Sequence, residues 1–155
     1  MNNYIILDID GVLVTEGGWK PIELLNDGFL KFNQKASYNL HNIISNTNSD
    51  IILSTTHRHK YSNTEWNNIF SNRGINVKTV YTLEDFGTYE GCNNRAQEIM
   101  KIVSNNTSLN YIIIDDDNSL DELPQYIKDK WIKTLPLIGI DSDSSNKAIS
   151  LLKNI

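Results

Sequence analysis

The strongest constraint on this chain is an alternation of two kinds of segment. Five short runs rich in β-branched residues, Tyr4–Ile9, Asp50–Leu53, Val77–Tyr81, Tyr111–Ile114 and the weaker Trp131–Leu135, are separated by stretches with helical periodicity. The first, second and fourth lack the polar alternation of a half-exposed strand and read as strands covered on both faces. Between them, Ala36, Leu40, Ile43 and Ile44 fall at i, i+4, i+7 and i+8. Trp66, Ile69 and Phe70 follow Ser62-Asn63-Thr64-Glu65, which has capping-box form. Ala96, Ile99, Met100 and Val103 make a third stripe, and Ala148, Ile149 and Leu152 a fourth. Strand and helix alternating in this way predict an α/β, three-layer Rossmann-like fold: a five-stranded, mainly parallel sheet with helices on both faces. At 155 residues, with no internal repeat or linker, the chain is expected to form a single domain over 1–155. The long stretch from Val14 to Phe32, containing Gly17-Gly18-Trp19 and Pro21, is expected to be a flap or loop with little regular structure.

Composition excludes several classes. No run of about 18 apolar residues is present to span a bilayer, and the start, MNNYIILDID, has no basic region ahead of its apolar stretch, so no signal peptide is expected. One cysteine, Cys92, cannot form an internal disulfide, and no Cys/His cluster has zinc-ligand spacing. A reducing, cytoplasmic setting is the expectation. The formal charge of −5 gives no general electrostatic footprint for nucleic acid.

In open parallel sheets ligands bind beyond the carboxyl ends of the strands, so the residues after each apolar run are the ones to read. The first run leads into Asp8-Ile9-Asp10-Gly11-Val12-Leu13 and the fourth into Asp115-Asp116-Asp117. Parallel pairing would bring up to five carboxylates to one edge, where they cannot all stay ionised without a cation. Oxygen-only donors favour a hard ion, Mg2+ above Zn2+. Asp117, Asp121 and Asp143 read as caps and turn formers. Asp8 and Asp10, two apart on a regular strand, would share a face and be costly if buried without a partner. The second run leads into Ser54-Thr55-Thr56-His57-Arg58-His59-Lys60, hydroxyls and cations suited to a phosphate oxygen. His59 and Lys60 read as solvated. His57 and Arg58 stand between substrate contact and solvated loop.

These residues resemble the haloacid dehalogenase superfamily of phosphatases over nearly the whole chain. Its first motif, Asp-x-Asp-Gly-[Val/Thr]-[Leu/Ile], is Asp8–Leu13. Its second, a hydrophobic strand ending in Ser or Thr, is Ile51-Ile52-Leu53-Ser54, with Thr55 the alternative hydroxyl. Arg95, opening a helix over Arg95–Val103, matches the third, and Ile112-Ile113-Ile114-Asp115-Asp116 the last. His57 stands where many relatives carry Trp, and Arg95 replaces the commoner Lys. The arrangement is most similar to small superfamily domains of RNA-repair proteins and polynucleotide 3′-phosphatases.

The resemblance implies a Mg2+-dependent phosphomonoester hydrolase in which Asp8 forms an aspartyl-phosphate and Asp10 serves as general acid and base. It also implies that Asp8, the Asp10 carbonyl, Asp115 and Asp116 hold the ion, and that Ser54 or Thr55, with Arg95, grips the phosphoryl oxygens. Gly11 would allow the tight backbone path after the strand, where a Cβ could obstruct the phosphate. The intervals of 39 residues between Asp10 and Asp50 and 38 between Thr56 and Arg95 leave no room for a large cap. An open site suits a terminal phosphate on a nucleotide or nucleic-acid end, with protein and sugar phosphates as alternatives. Trp19 either stacks on a base or anchors its loop, and Arg58 and His57 are candidate substrate contacts. The competing class is a non-catalytic phosphoacceptor domain that binds Mg2+, disfavoured because Val80-Tyr81-Thr82 is not followed at once by Asp.

Overall fold

In the computed structural model of the chain, which describes residues 2–15 and 21–153, the five runs become β1 (Asn3–Leu7), β2 (Ser49–Leu53), β3 (Val80–Thr82), β4 (Asn110–Asp115) and β5 (Trp131–Lys133). All pair in parallel, in the order β3-β2-β1-β4-β5. Period-two geometry divides each central strand between two cores. Ile5, Leu7, Ile51, Leu53, Ile112 and Ile114 pack with helices α1 (Gln34–Thr47), α2 (Asn63–Ser71) and α5 (Ser142–Lys153). The intervening Ile6, Ile52 and Ile113 pack with α3 (Arg95–Asn105) and the four-residue α4 (Gln125–Lys128). Burial on both faces is the physical reason these strands carry continuous apolar sequence. The three-layer α/β architecture therefore stands as expected. No helix among the described residues is long and apolar enough to cross a membrane.

The helix starts follow local chemistry. Ser62 and Glu65 complete the reciprocal capping box of α2, and the Asn33 and Asn94 side chains cap α1 and α3. The strand ends differ from the sequence reading by more than one residue in three places. β1 stops at Leu7 because the Ile9 carbonyl accepts the N–H groups of Val12, Leu13 and Val14, turning the chain at once. β3 begins only at Val80, because the Asn67 side chain on α2 donates to the Val77 and Lys78 carbonyls and accepts the Val80 N–H. β5 ends at Lys133, and Leu135–Gly139 closes a turn instead.

The stretch expected to be irregular is tightly built where it is described. Leu24 and Leu30 bridge in antiparallel fashion around Gly28. The buried Arg73 guanidinium fastens that segment, donating to both carboxylate oxygens of Asp27 at 2.6 and 3.0 Å and to the Leu30 and Phe29 carbonyls. Asp27 is held well below the usual carboxylate range by those hydrogen bonds. Trp19 lies outside the described residues.

Candidate active site

The strand order places a topological switch point between β1 and β4, which leave the sheet side by side while their successors run in opposite directions. Asp8 follows β1 directly, and Asp115 is the last residue of β4. Asp8, Asp115 and Asp116 each offer a carboxylate oxygen within 4.8 Å of the others. Of the up to five carboxylates expected at this edge, three meet. Asp117 caps the following turn through the Ser119 N–H, as its turn-forming reading foresaw. The side chain of Asp10, 60% exposed, turns away to His57. The two acids of the first motif do not share a buried face, because the chain has already left the strand at Ile9.

Burial, and then the charge of Asp115, push the Asp8 carboxyl up to about 8. Burial also raises Asp115 and Asp116, with Asp115 the second cause for Asp116. Arg95 supplies partial compensation. Its Nη1 lies 2.7 Å from Asp115 Oδ2 and 3.5 Å from Asp8 Oδ1. Burial works against its own charge, but Asp115 and Asp8 outweigh it and hold the guanidinium above its ordinary value. One guanidinium against three crowded carboxyls leaves the acids under-compensated. With oxygen donors only, that deficit fits a hard divalent cation. The Asp10 carbonyl accepts no hydrogen bond from the described residues and is a fourth available oxygen.

A cavity of about 380 Å³ opens over this group, lined by Asp8, Asp10, Gly11, Thr56, Arg95 and Asp116 and walled by Val14, Thr15 and Ile22. Ser54 is fully buried, and its hydroxyl has no hydrogen-bond partner among the described residues, so a donor is left spare at the end of β2. Thr55 is buried too, but its hydroxyl accepts the His57 N–H and caps the short turn Thr56–Lys60. Ser54 is thus the freer hydroxyl of the two. Thr56, which the sequence reading did not single out, is exposed at the cavity; its position three residues beyond β2 was the available signal.

Arg58 is a correction. It does not face substrate: its five N–H groups are all engaged, with both carboxylate oxygens of Glu84, one of Glu98 and the Ser54 and Thr55 carbonyls. A guanidinium with every donor occupied at 7% exposure is a structural tie. Glu98, also unforeseen, links this tie to the site: one oxygen meets Arg58 at 2.9 Å and the other lies 3.6 Å from Arg95 Nε. Its signal was the i+3 spacing from Arg95 along α3. His59 and Lys60 are exposed, as read.

Gly11 takes the tight backbone path expected after the strand, and the structure adds a second reason for a glycine there. Its φ is +76°, and a Cβ there would overlap the Asp116 carboxylate, so the missing side chain makes room for an acid of the cluster. Gly11→Ala is expected to destabilise the protein by about 1–3 kcal/mol and to weaken divalent-cation binding. Thermal denaturation and calorimetric titration check this; unchanged values in both would contradict it.

A family profile described as "HAD domain in Swiss Army Knife RNA repair proteins" matches residues 4–144. That span includes every side chain of the cluster. No curated protein and no solved structure gives a significant match to the chain.

Proposed function

Since the chain belongs to the family of HAD domains found in Swiss Army Knife RNA repair proteins, we propose that it is a Mg2+-dependent phosphomonoester hydrolase acting through an aspartyl-phosphate on Asp8. The observation that carries this reading is the meeting of Asp8, Arg95 and Asp116 around one cavity at the β1/β4 switch point, with the buried Asp115 paired to Arg95 and within the same acid cluster. Ionised Asp8 attacks phosphorus as the bond to the leaving oxygen breaks, and Asp10, exposed beside it, delivers the proton that oxygen needs. In the second half Asp10 takes a proton from the water that attacks the phosphoryl group, and Asp8 departs as carboxylate. Arg95 and the spare Ser54 hydroxyl donate to the phosphoryl oxygens, whose charge must be met at the moment it develops. Mg2+, held by Asp8, Asp115, Asp116 and the Asp10 carbonyl, would act as a Lewis acid that offsets the combined negative charge of carboxylates and phosphate.

The substrate class we propose is a phosphate at a nucleotide or polynucleotide end. Two things support it: the family's description places such domains in RNA repair proteins, and no cap domain covers the cavity among the described residues. An uncovered site takes a phosphate whose leaving group is large. A panel of 3′- and 5′-phosphorylated oligonucleotides, mononucleotides, phosphopeptides and sugar phosphates, assayed with Mg2+ and with chelator, tests this. The highest kcat/KM is expected on an oligonucleotide end, with no turnover in chelator. Equal or higher values on sugar phosphates would overturn the substrate assignment.

A further inference from the structure

His57 was a candidate substrate contact by sequence, but its ring points to Asp10. Nε2 lies 2.9 Å from Asp10 Oδ2, joining two loops 47 positions apart in the chain. The partners are unequally held: the His57 side chain is 15% exposed and that of Asp10 60%. The ring is the fixed member. Its backbone N–H is anchored on the Thr55 hydroxyl, and its ring packs T-shaped against that of Phe29, centroids 5.3 Å apart at 82°. Phe29 is itself immobilised, 3% exposed and packed edge-on against Trp66 at 5.1 Å. Its carbonyl and the neighbouring Asp27 are gripped by Arg73. A line of contacts therefore runs from the Arg73 clamp through Phe29 and His57 to an otherwise exposed carboxyl.

We propose that His57 is a positioning residue for the reaction, holding Asp10 by Oδ2 so that Oδ1 faces the leaving oxygen, with the Arg73-clamped segment as the wall behind its ring. This deepens the phosphomonoesterase reading and rests on it. An exposed aspartate left alone samples several rotamers, and a misplacement of about 1 Å can cost on the order of 100-fold in rate. One tautomer serves both halves of the reaction. With the hydrogen on Nε2, Oδ2 accepts from the ring whether Oδ1 carries a proton or not. In the first half that Oδ1 proton passes to the leaving oxygen as the Asp8–phosphorus bond forms and the ester bond breaks. In the second, Oδ1 receives one from water.

The test compares the full-length protein, loaded with Mg2+, with its His57→Gln and His57→Asn variants. Both carry the same amide, but only Gln is long enough to reach Asp10 from the His57 backbone. First-turnover release of the leaving group is followed from 2-phenylethyl phosphate, whose alkoxide needs a proton, and from 4-nitrophenyl phosphate, whose phenolate does not. His57→Asn is expected to slow release from the alkyl ester by about 10–100-fold, a part of what a general acid supplies. The aryl ester should change by less than about 3-fold, and His57→Gln should restore the alkyl rate to within about 5-fold. Equal losses on both esters, or no loss on either, would overturn the inference. If the parent protein cleaves neither ester, the phosphomonoesterase reading fails. If it cleaves both and Asp8→Asn cleaves neither, that reading stands and His57 is judged by the leaving-group contrast alone.

Discussion

Asp8→Asn is expected to lower metal-dependent phosphatase turnover by about 10⁴-fold or more, the scale on which loss of a nucleophile is felt, while making the metal-free protein more stable at neutral pH. Asn keeps the shape of the side chain but cannot form an acyl phosphate, so activity and folding separate. The stability gain follows from burial. The Asp8 carboxyl has an ordinary value of 3.8 and is raised to about 8 in the folded state, first by burial and then by Asp115. Below about pH 4 it is protonated in both folded and unfolded chains, and the site costs nothing. Between about 4 and 8 the unfolded chain has released the proton that the folded one retains, so stability falls as pH rises. The full penalty is present above 8. Melting curves without divalent ions should therefore show the variant close to the parent near pH 4.5 and clearly above it near pH 8. Residual turnover within about 10-fold of the parent would remove Asp8 from the chemistry.

Saturation with Mg2+ is expected to raise the melting temperature, and the rise should grow with pH. A cation binds the deprotonated acids, so it competes with the protons that burial retains on Asp8, Asp115 and Asp116. At a concentration about 100 times its dissociation constant, a ligand that binds only the folded state contributes about 2.7 kcal/mol. For a chain of this length that corresponds to a shift of about 5–10 °C. Asp115→Asn and Asp116→Asn should each lose most of the shift, and chelator should reverse it in the parent. An identical shift in those variants would show that the ion binds elsewhere, and the acid triad would lose its assigned role.

The sheet was readable before any coordinates because burial on both faces removes polar residues from the middle strands, leaving a pattern with few alternative explanations. Two caps, Ser62 and Asp117, were readable because each satisfies an N–H group within three residues of itself. Features decided by tertiary contact were not. The shortening of β3 depends on Asn67, whose amide occupies the backbone that Val77 and Lys78 would have paired. Arg58 and His57 are adjacent basic residues in sequence with the same candidate role, yet they part company in space. One turns into the Glu84/Glu98 pair and the other meets Asp10. Nothing within a few residues of either distinguishes them. Gly11 was singled out correctly as a position needing glycine, but the group it accommodates, the Asp116 carboxylate, comes from a strand end 105 positions away and is visible only once β1 and β4 lie side by side.

The central claim is that Asp8 carries the phosphoryl group between the two halves of the reaction. Acid-quenching the protein during turnover, reducing it with borohydride and mapping its peptides tests this directly, because reduction converts an aspartyl-phosphate to homoserine at the position that held it. The expected result is homoserine at position 8, dependent on both substrate and Mg2+. Undiminished turnover with no residue converted, or with conversion at a different carboxylate, would contradict the account.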